Sequence, residues 1–142
     1  SQRSETEGIL DLTGLSAVAR ERAGQLTILQ RKKLMIASAL ATNPKLLLLD
    51  EPVGGLNPHE IDETIELVRR IHQDRSLTII MIEHVMRFIV ELCDRVVIMH
   101  HGKKLYEGSS AGLTHDQKVV ETYLGAEAAN RLEHMISGQS KS

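Results

Sequence analysis

The sequence predicts an α/β fold built on buried, parallel-type strands, and three features carry that prediction. Four consecutive leucines at residues 46–49 run into two adjacent carboxylates, Asp50 and Glu51. So continuous an apolar run reads as a strand covered on both faces. A segment with Ile61, Ile65, Val68 and Ile71 on one helical face follows it. A second apolar run, residues 78–82, then ends in Glu83 and His84. Strand, helix and strand in this order belong to a doubly wound α/β domain, whose ligands sit beyond the carboxyl ends of the strands.

Each element has its own signals. Residues 5–12 and 16–21 read as short helices broken near Gly14. A longer helix is expected through Leu34, Ile36, Ala37 and Leu40. In the helix after the first strand, Asn57 suits the N-cap, Pro58 the first helical position, and Glu60 completes a capping-box spacing. Gly54 and Gly55 ahead of it make a tight loop that lets a backbone or ligand come close. Residues 85–93 read as a helix with Val85, Ile89, Leu92 and Cys93 inward. Residues 96–99 are a third apolar strand, and Gly102 and Lys103 form the turn of a hairpin with residues 104–107. His100 and His101 are turn residues, because no partner spacing supports a metal site. Residues 118–124 and 127–136 read as closing helices, with Met135 and Ile136 as core, and the small polar residues 137–142 should fray.

Two strands thus end at one edge, one in Asp50 and Glu51, the other in His84. Many nucleotide triphosphatases deliver one acid to a magnesium ion and the next to an attacking water in this way. A core strand followed by a solvated acidic turn is the bland alternative.

The ordered set LLLLDEP, GGLNP and IIMIEH resembles the Walker B motif, D-loop and H-loop of an ABC-transporter ATP-binding subunit. GGLNP, IEHVM and VVETYLG are similar to the subgroup that serves branched-chain amino-acid importers and their urea and amide relatives. The likeness runs from about residue 7 to 125. It implies that Asp50 holds Mg²⁺, Glu51 polarises the attacking water, and His84 contacts the γ-phosphate of ATP. Gly55, Leu56 and Asn57 would line a dimer interface. Leu26, Thr27 and Gln30 match the signature that caps ATP on the opposite subunit, a task suited to a helix N-terminus. Ile28 and Leu29 stand where the family has glycine, and β-branched Ile strongly disfavours φ > 0. The basic run Arg31, Lys32 and Lys33 has two readings: positive charge offered to nucleotide, or a solvated turn of helix.

A phosphate-binding loop needs G-x-x-x-x-G-K-[ST], and no segment of the 142 residues fits. The resemblance therefore implies the C-terminal part of an ABC ATPase core of P-loop NTPase type, lacking its N-terminal half. Residues 1–41 would be part of the helical subdomain, 42–125 the later catalytic core, and 126–142 a C-terminal helix and tail. The isolated chain is then expected not to hydrolyse ATP. The implied partners are a second ATP-binding subunit and transmembrane permease subunits, which would place the chain at the cytoplasmic side of the inner membrane.

Composition narrows the classes. A formal net charge of −2 gives no basic face for nucleic acid. No apolar run is long enough to span a bilayer. The single cysteine, Cys93, cannot form an internal disulfide and reads as a small buried hydrophobe. Two functions from different classes fit: the importer ATPase, or a non-catalytic module that docks on a complete ATPase or permease. A chromosome-maintenance ATPase head fits less well, because no heptad run appears.

Overall fold

The computed structural model describes residues 2–116 and Val119. The chain divides into two compact units, Ser1–Val85 and Met86–Ser142.

In the first unit, α1 spans Gln2–Leu12, three residues earlier than the sequence suggests. It stops where the Thr13 hydroxyl donates to the Ile9 carbonyl at 2.8 Å and Gly14 takes φ +70°, a left-handed turn that ends the helix. The helix expected over residues 16–21 shrinks to a single 3₁₀ turn, Ser16–Val18, with no side-chain cap. Helix α2, Ile28–Leu40, buries Ile36, Ala37 and Leu40. Strand β1, Leu46–Asp50, leads through the Gly54–Gly55 loop to α3, Pro58–Arg75. At the start of α3, Asn57 and Glu60 form the reciprocal capping box and Pro58 sits in the first turn. Three of the four expected apolar positions, Ile65, Val68 and Ile71, are buried, and Thr64 and Leu67 join them. Strand β2, Thr78–Ile82, pairs in parallel with β1, from Leu46 opposite Thr78 to Asp50 opposite Ile82.

The expectation that β1 is buried on both faces is overturned. Leu47 and Leu49 are buried, whereas Leu46 and Leu48 are exposed, and the exposed face continues onto β2 through Ile80 and Ile82. Side chains alternate across a strand, and the described residues cover only one face of this two-stranded sheet.

The second unit opens with α4, Met86–Leu92. The sequence placed Val85, Ile89, Leu92 and Cys93 inward, but Val85 precedes the helix and the fully buried residue is Phe88. Ile89, Val90 and Cys93 are partly buried against a core of Val96, Leu113 and Val119. Strands β3, Arg95–His100, and β4, Lys103–Ser109, form the expected hairpin. Its two-residue turn, His101–Gly102, has φ +47° and +75°, the positive pair that matches the twist of a hairpin. His100 is thus the last residue of a strand, and only His101 lies in the turn. The closing helices expected over 118–124 and 127–136, with Met135 and Ile136, lie outside the described residues, apart from Val119.

Candidate functional site

The site is built at the carboxyl end of the β1–β2 pair, within the first unit. Asp50 is the last residue of β1 and is exposed. Glu51 leaves the strand in a left-handed conformation, φ +44°, rare for a residue with a side chain. Three hydrogen bonds hold it there. Its N–H donates to the Ile82 carbonyl at 2.9 Å, extending the β1–β2 ladder by one bond. Its own carbonyl accepts from the Gly54 N–H at 3.2 Å and from the Lys32 ammonium at 2.7 Å. The effect is to swing the Glu51 side chain off the strand axis, where its Oε1 lies 3.7 Å from Nδ1 of His84. Both side chains are more than half exposed, so the pair adds little stability and stays open to a ligand.

His84 is set by its neighbour. The Glu83 side chain is fully enclosed; its hydrogen bonds come from backbone N–H groups, and the His84 Nδ1 lies 3.8 Å from its Oε2. One oxygen accepts from the Val53 N–H at 3.1 Å, the other from the N–H groups of His84 and Val85 at 2.9 and 3.0 Å. Charge-assisted bonds of this kind are shorter and stronger than neutral ones. A single buried carboxylate therefore joins the turn after Glu51 to the turn that carries His84.

The Gly54–Gly55 loop follows. Gly55 takes φ +79°, and an added Cβ there would meet nothing within 4 Å. The loop passes through half-buried Leu56 to exposed Asn57, whose carboxamide is committed to capping α3.

At the start of α2, Thr27 and Gln30 form a second capping box: the Thr27 hydroxyl accepts from Gln30 N–H at 3.2 Å, and Gln30 Oε1 accepts from Thr27 N–H at 2.9 Å. Leu26 is buried, so it offers a ligand its backbone only. Ile28 and Leu29 lie in the first turn of a regular helix, and neither has positive φ. This turn does not enter the left-handed region, so what sets Ile28 and Leu29 apart from the family's glycines is the side chains they add at the helix start. The basic run is also resolved. Lys33 is buried and ion-paired with Glu63 of α3, and Lys32 serves the Glu51 carbonyl, which leaves Arg31 as the exposed member.

The donor set suits a hard divalent cation in one respect. Asp50 and Glu51 are consecutive, exposed carboxylates, and magnesium takes one or two carboxylates together with substrate phosphates.

Comparisons with known proteins follow this geometry. The profile of the ABC transporter family matches residues 1–54. The branched-chain amino acid transport ATP-binding protein BraF of Pseudomonas aeruginosa is 32% identical over 130 residues, covering 87% of this chain and 51% of BraF. The solved ADP conformation of an ATP-binding cassette of an ABC transporter superposes with TM-score 0.77 at 30% identity, over 87% of this chain and 50% of that one. The chain belongs to the ABC-transporter ATPase family. The methionine import ATP-binding protein MetN of Carboxydothermus hydrogenoformans is 40% identical over 100 residues, 70% of this chain and 30% of MetN. This ABC chain spans about half the length of BraF.

Sequence reasoning missed three members of the ABC chain's site: Glu83 as the joint between two turns, Lys32 as a partner of Glu51, and the Lys33–Glu63 pair. Glu83 had a signal, since a carboxylate at the end of a buried strand needs N–H donors and the following turn supplies them. The two lysines had none, because their partners lie 19 and 30 residues away.

Proposed function

We propose that this chain is part of the ATP-binding subunit of an ABC importer for small solutes such as branched-chain amino acids or methionine. The observation that carries the reading is the meeting of Glu51 and His84, from the ends of two parallel strands, at 3.7 Å and both open to solvent. In this reading Glu51 accepts a proton from the water that attacks the γ-phosphate, as a positioned general base. His84 donates to a γ-phosphate oxygen, and Glu83 fixes its backbone for that contact. Asp50 holds Mg²⁺, which when bound with ATP neutralises charge on the phosphates. Phosphoryl transfer needs mainly such positioning and charge stabilisation. Gly55, Leu56 and Asn57 face a second ATP-binding subunit. Leu26, Thr27 and Gln30 place the N-terminus of α2 toward that subunit's ATP. Transmembrane permease subunits hold the assembly at the cytoplasmic side of the inner membrane.

The 142 residues contain no G-x-x-x-x-G-K-[ST] pattern, so the chain alone should not turn over ATP. A phosphate-release assay with Mg-ATP tests this: the purified chain should release none above background. The complete subunit should turn over and lose roughly a hundredfold or more in Glu51→Gln. Turnover by the chain alone that disappears in Glu51→Gln would overturn the first statement; a fully active Glu51→Gln subunit would overturn the second. The exposed apolar face of Leu46, Leu48, Ile80 and Ile82 favours one other reading, a non-catalytic module that docks on a complete ATPase or permease. Stable capture of either partner by the chain, with no gain in turnover, would select it.

A further inference from the structure

We propose that Lys32 is a positioning residue for Glu51, tying the start of α2 to the acidic turn after β1. The proposal rests on the reading of Glu51 as general base. Its ground is geometric. Glu51 holds a left-handed backbone conformation that a residue with a side chain adopts only when its surroundings over-determine it. The Gly54 N–H and Ile82 carbonyl that bond to Glu51 are backbone partners next to it in the turn and across the ladder. Lys32 is the one side chain among the three partners, and it comes from another element. Its ammonium reaches 19 residues along the chain to the Glu51 carbonyl at 2.7 Å. It also lies 3.7 Å from where a Cβ on Gly54 would stand, in the crook of the turn itself. Lys32 is half-buried, and Lys33 beside it is committed to Glu63.

Lys32 is two residues beyond Gln30, in the first turns of α2. The segment that would face the partner's ATP and the backbone of the residue that would activate water are thus joined by one charge-assisted bond. Movement of the α2 start carries the ammonium with it. The Glu51 carbonyl then follows or loses its partner, and the direction of the Glu51 side chain changes with its backbone.

The test compares Lys32→Met, which keeps the aliphatic stem, with Lys32→Arg, which keeps a donor. In the chain, amide hydrogen exchange at Glu51 and Gly54 should quicken about tenfold in Lys32→Met, as expected for the loss of one hydrogen bond to a charged group. Exchange in α2 and at residues 46–49 should not change, and Lys32→Arg should restore slow exchange. In the complete ATP-binding subunit containing this chain, Lys32→Met should lower kcat about tenfold with KM for ATP unchanged, and Lys32→Arg should recover it. Unchanged exchange at Glu51 and Gly54, exchange that quickens equally across α2 and β1, or an unaltered kcat would overturn the proposal. Glu51→Gln is run alongside. If it retains full turnover while exchange in Lys32→Met behaves as expected, the reading of Glu51 as base fails and the structural tie stands.

Discussion

Leu47 and Leu48 are neighbours in β1 with the same side chain, and they should respond very differently to truncation. Leu47 is 3% exposed and Leu48 is 67% exposed. Leu47→Ala removes fully buried methyl groups and leaves a cavity, which costs about 3 kcal/mol in a close-packed core. Full burial of a leucine is worth about 2 kcal/mol, and Leu48 realises only a third of it, so Leu48→Ala should cost about 0.7 kcal/mol at most. No cavity term applies, since water already reaches the side chain. Urea unfolding followed by circular dichroism at low micromolar concentration measures both, provided the slopes match the parent. The same geometry predicts association. Leu46, Leu48, Ile80 and Ile82 form a continuous apolar face, and among the described residues β2 pairs only with β1. Such a surface invites aggregation or pairing with another chain. The parent chain should elute as oligomers, and Leu48→Lys combined with Ile82→Lys should shift it toward monomer. If Leu48→Ala is as destabilising as Leu47→Ala, or the parent is a sharp monomer, the face is covered in solution and the one-sided burial of β1 is wrong.

Further outcomes follow from single residues. Gly55→Ala should destabilise by about 1 kcal/mol because φ +79° disfavours any side chain, whereas Gly54→Ala, whose Cβ would meet only ordinary contacts from 3.6 Å outward, should be near neutral; equal effects in thermal melts would refute this. Glu63→Gln strands the buried Lys33 charge and should cost roughly 2 kcal/mol, reduced from the fully buried case because Glu63 is half exposed. Lys33→Met, which removes the charge and keeps the stem, should cost less, and the reverse order in urea unfolding would contradict the assignment. Burial first, and then the Asp94 carboxylate, raise the Cys93 thiol above its ordinary range. The folded state therefore holds that proton more tightly than the unfolded chain. The linked stability is complete below the ordinary thiol pKa and is lost as pH rises through the raised one. Alkylation of Cys93 at about pH 8 should accordingly run several-fold slower than that of a free peptide thiol, and equal rates would contradict the burial.

Much of the fold was legible because its signals are local. Asn57, Pro58 and Glu60 specify the start of α3 through bonds that span three residues, and the structure contains them. The Thr27–Gln30 spacing works the same way at α2, although the sequence was read there only for a ligand motif. Gly102 marked the hairpin, but the turn falls one residue earlier than expected, at His101–Gly102, and Lys103 already belongs to β4. Two short continuous apolar runs located both strands of the site, and with them the edge where Asp50, Glu51 and His84 emerge.

What the sequence by itself determined is therefore most of the elements among the described residues, their order, and the acids and histidine at the strand ends. These depend on caps, turns and repeats within a few residues. Only the tertiary structure decided which face of β1 is covered, since four leucines in a row carry no alternation to mark an inside. It alone also decided that Glu51 turns left-handed, that Lys32 grips its carbonyl, and that Glu83 binds Val53 30 residues earlier in the chain. Those bonds join residues brought together when helices and strands pack. A lysine in a basic run looks the same in sequence whether it faces water, a nucleotide or a backbone carbonyl, and its environment is what distinguishes them.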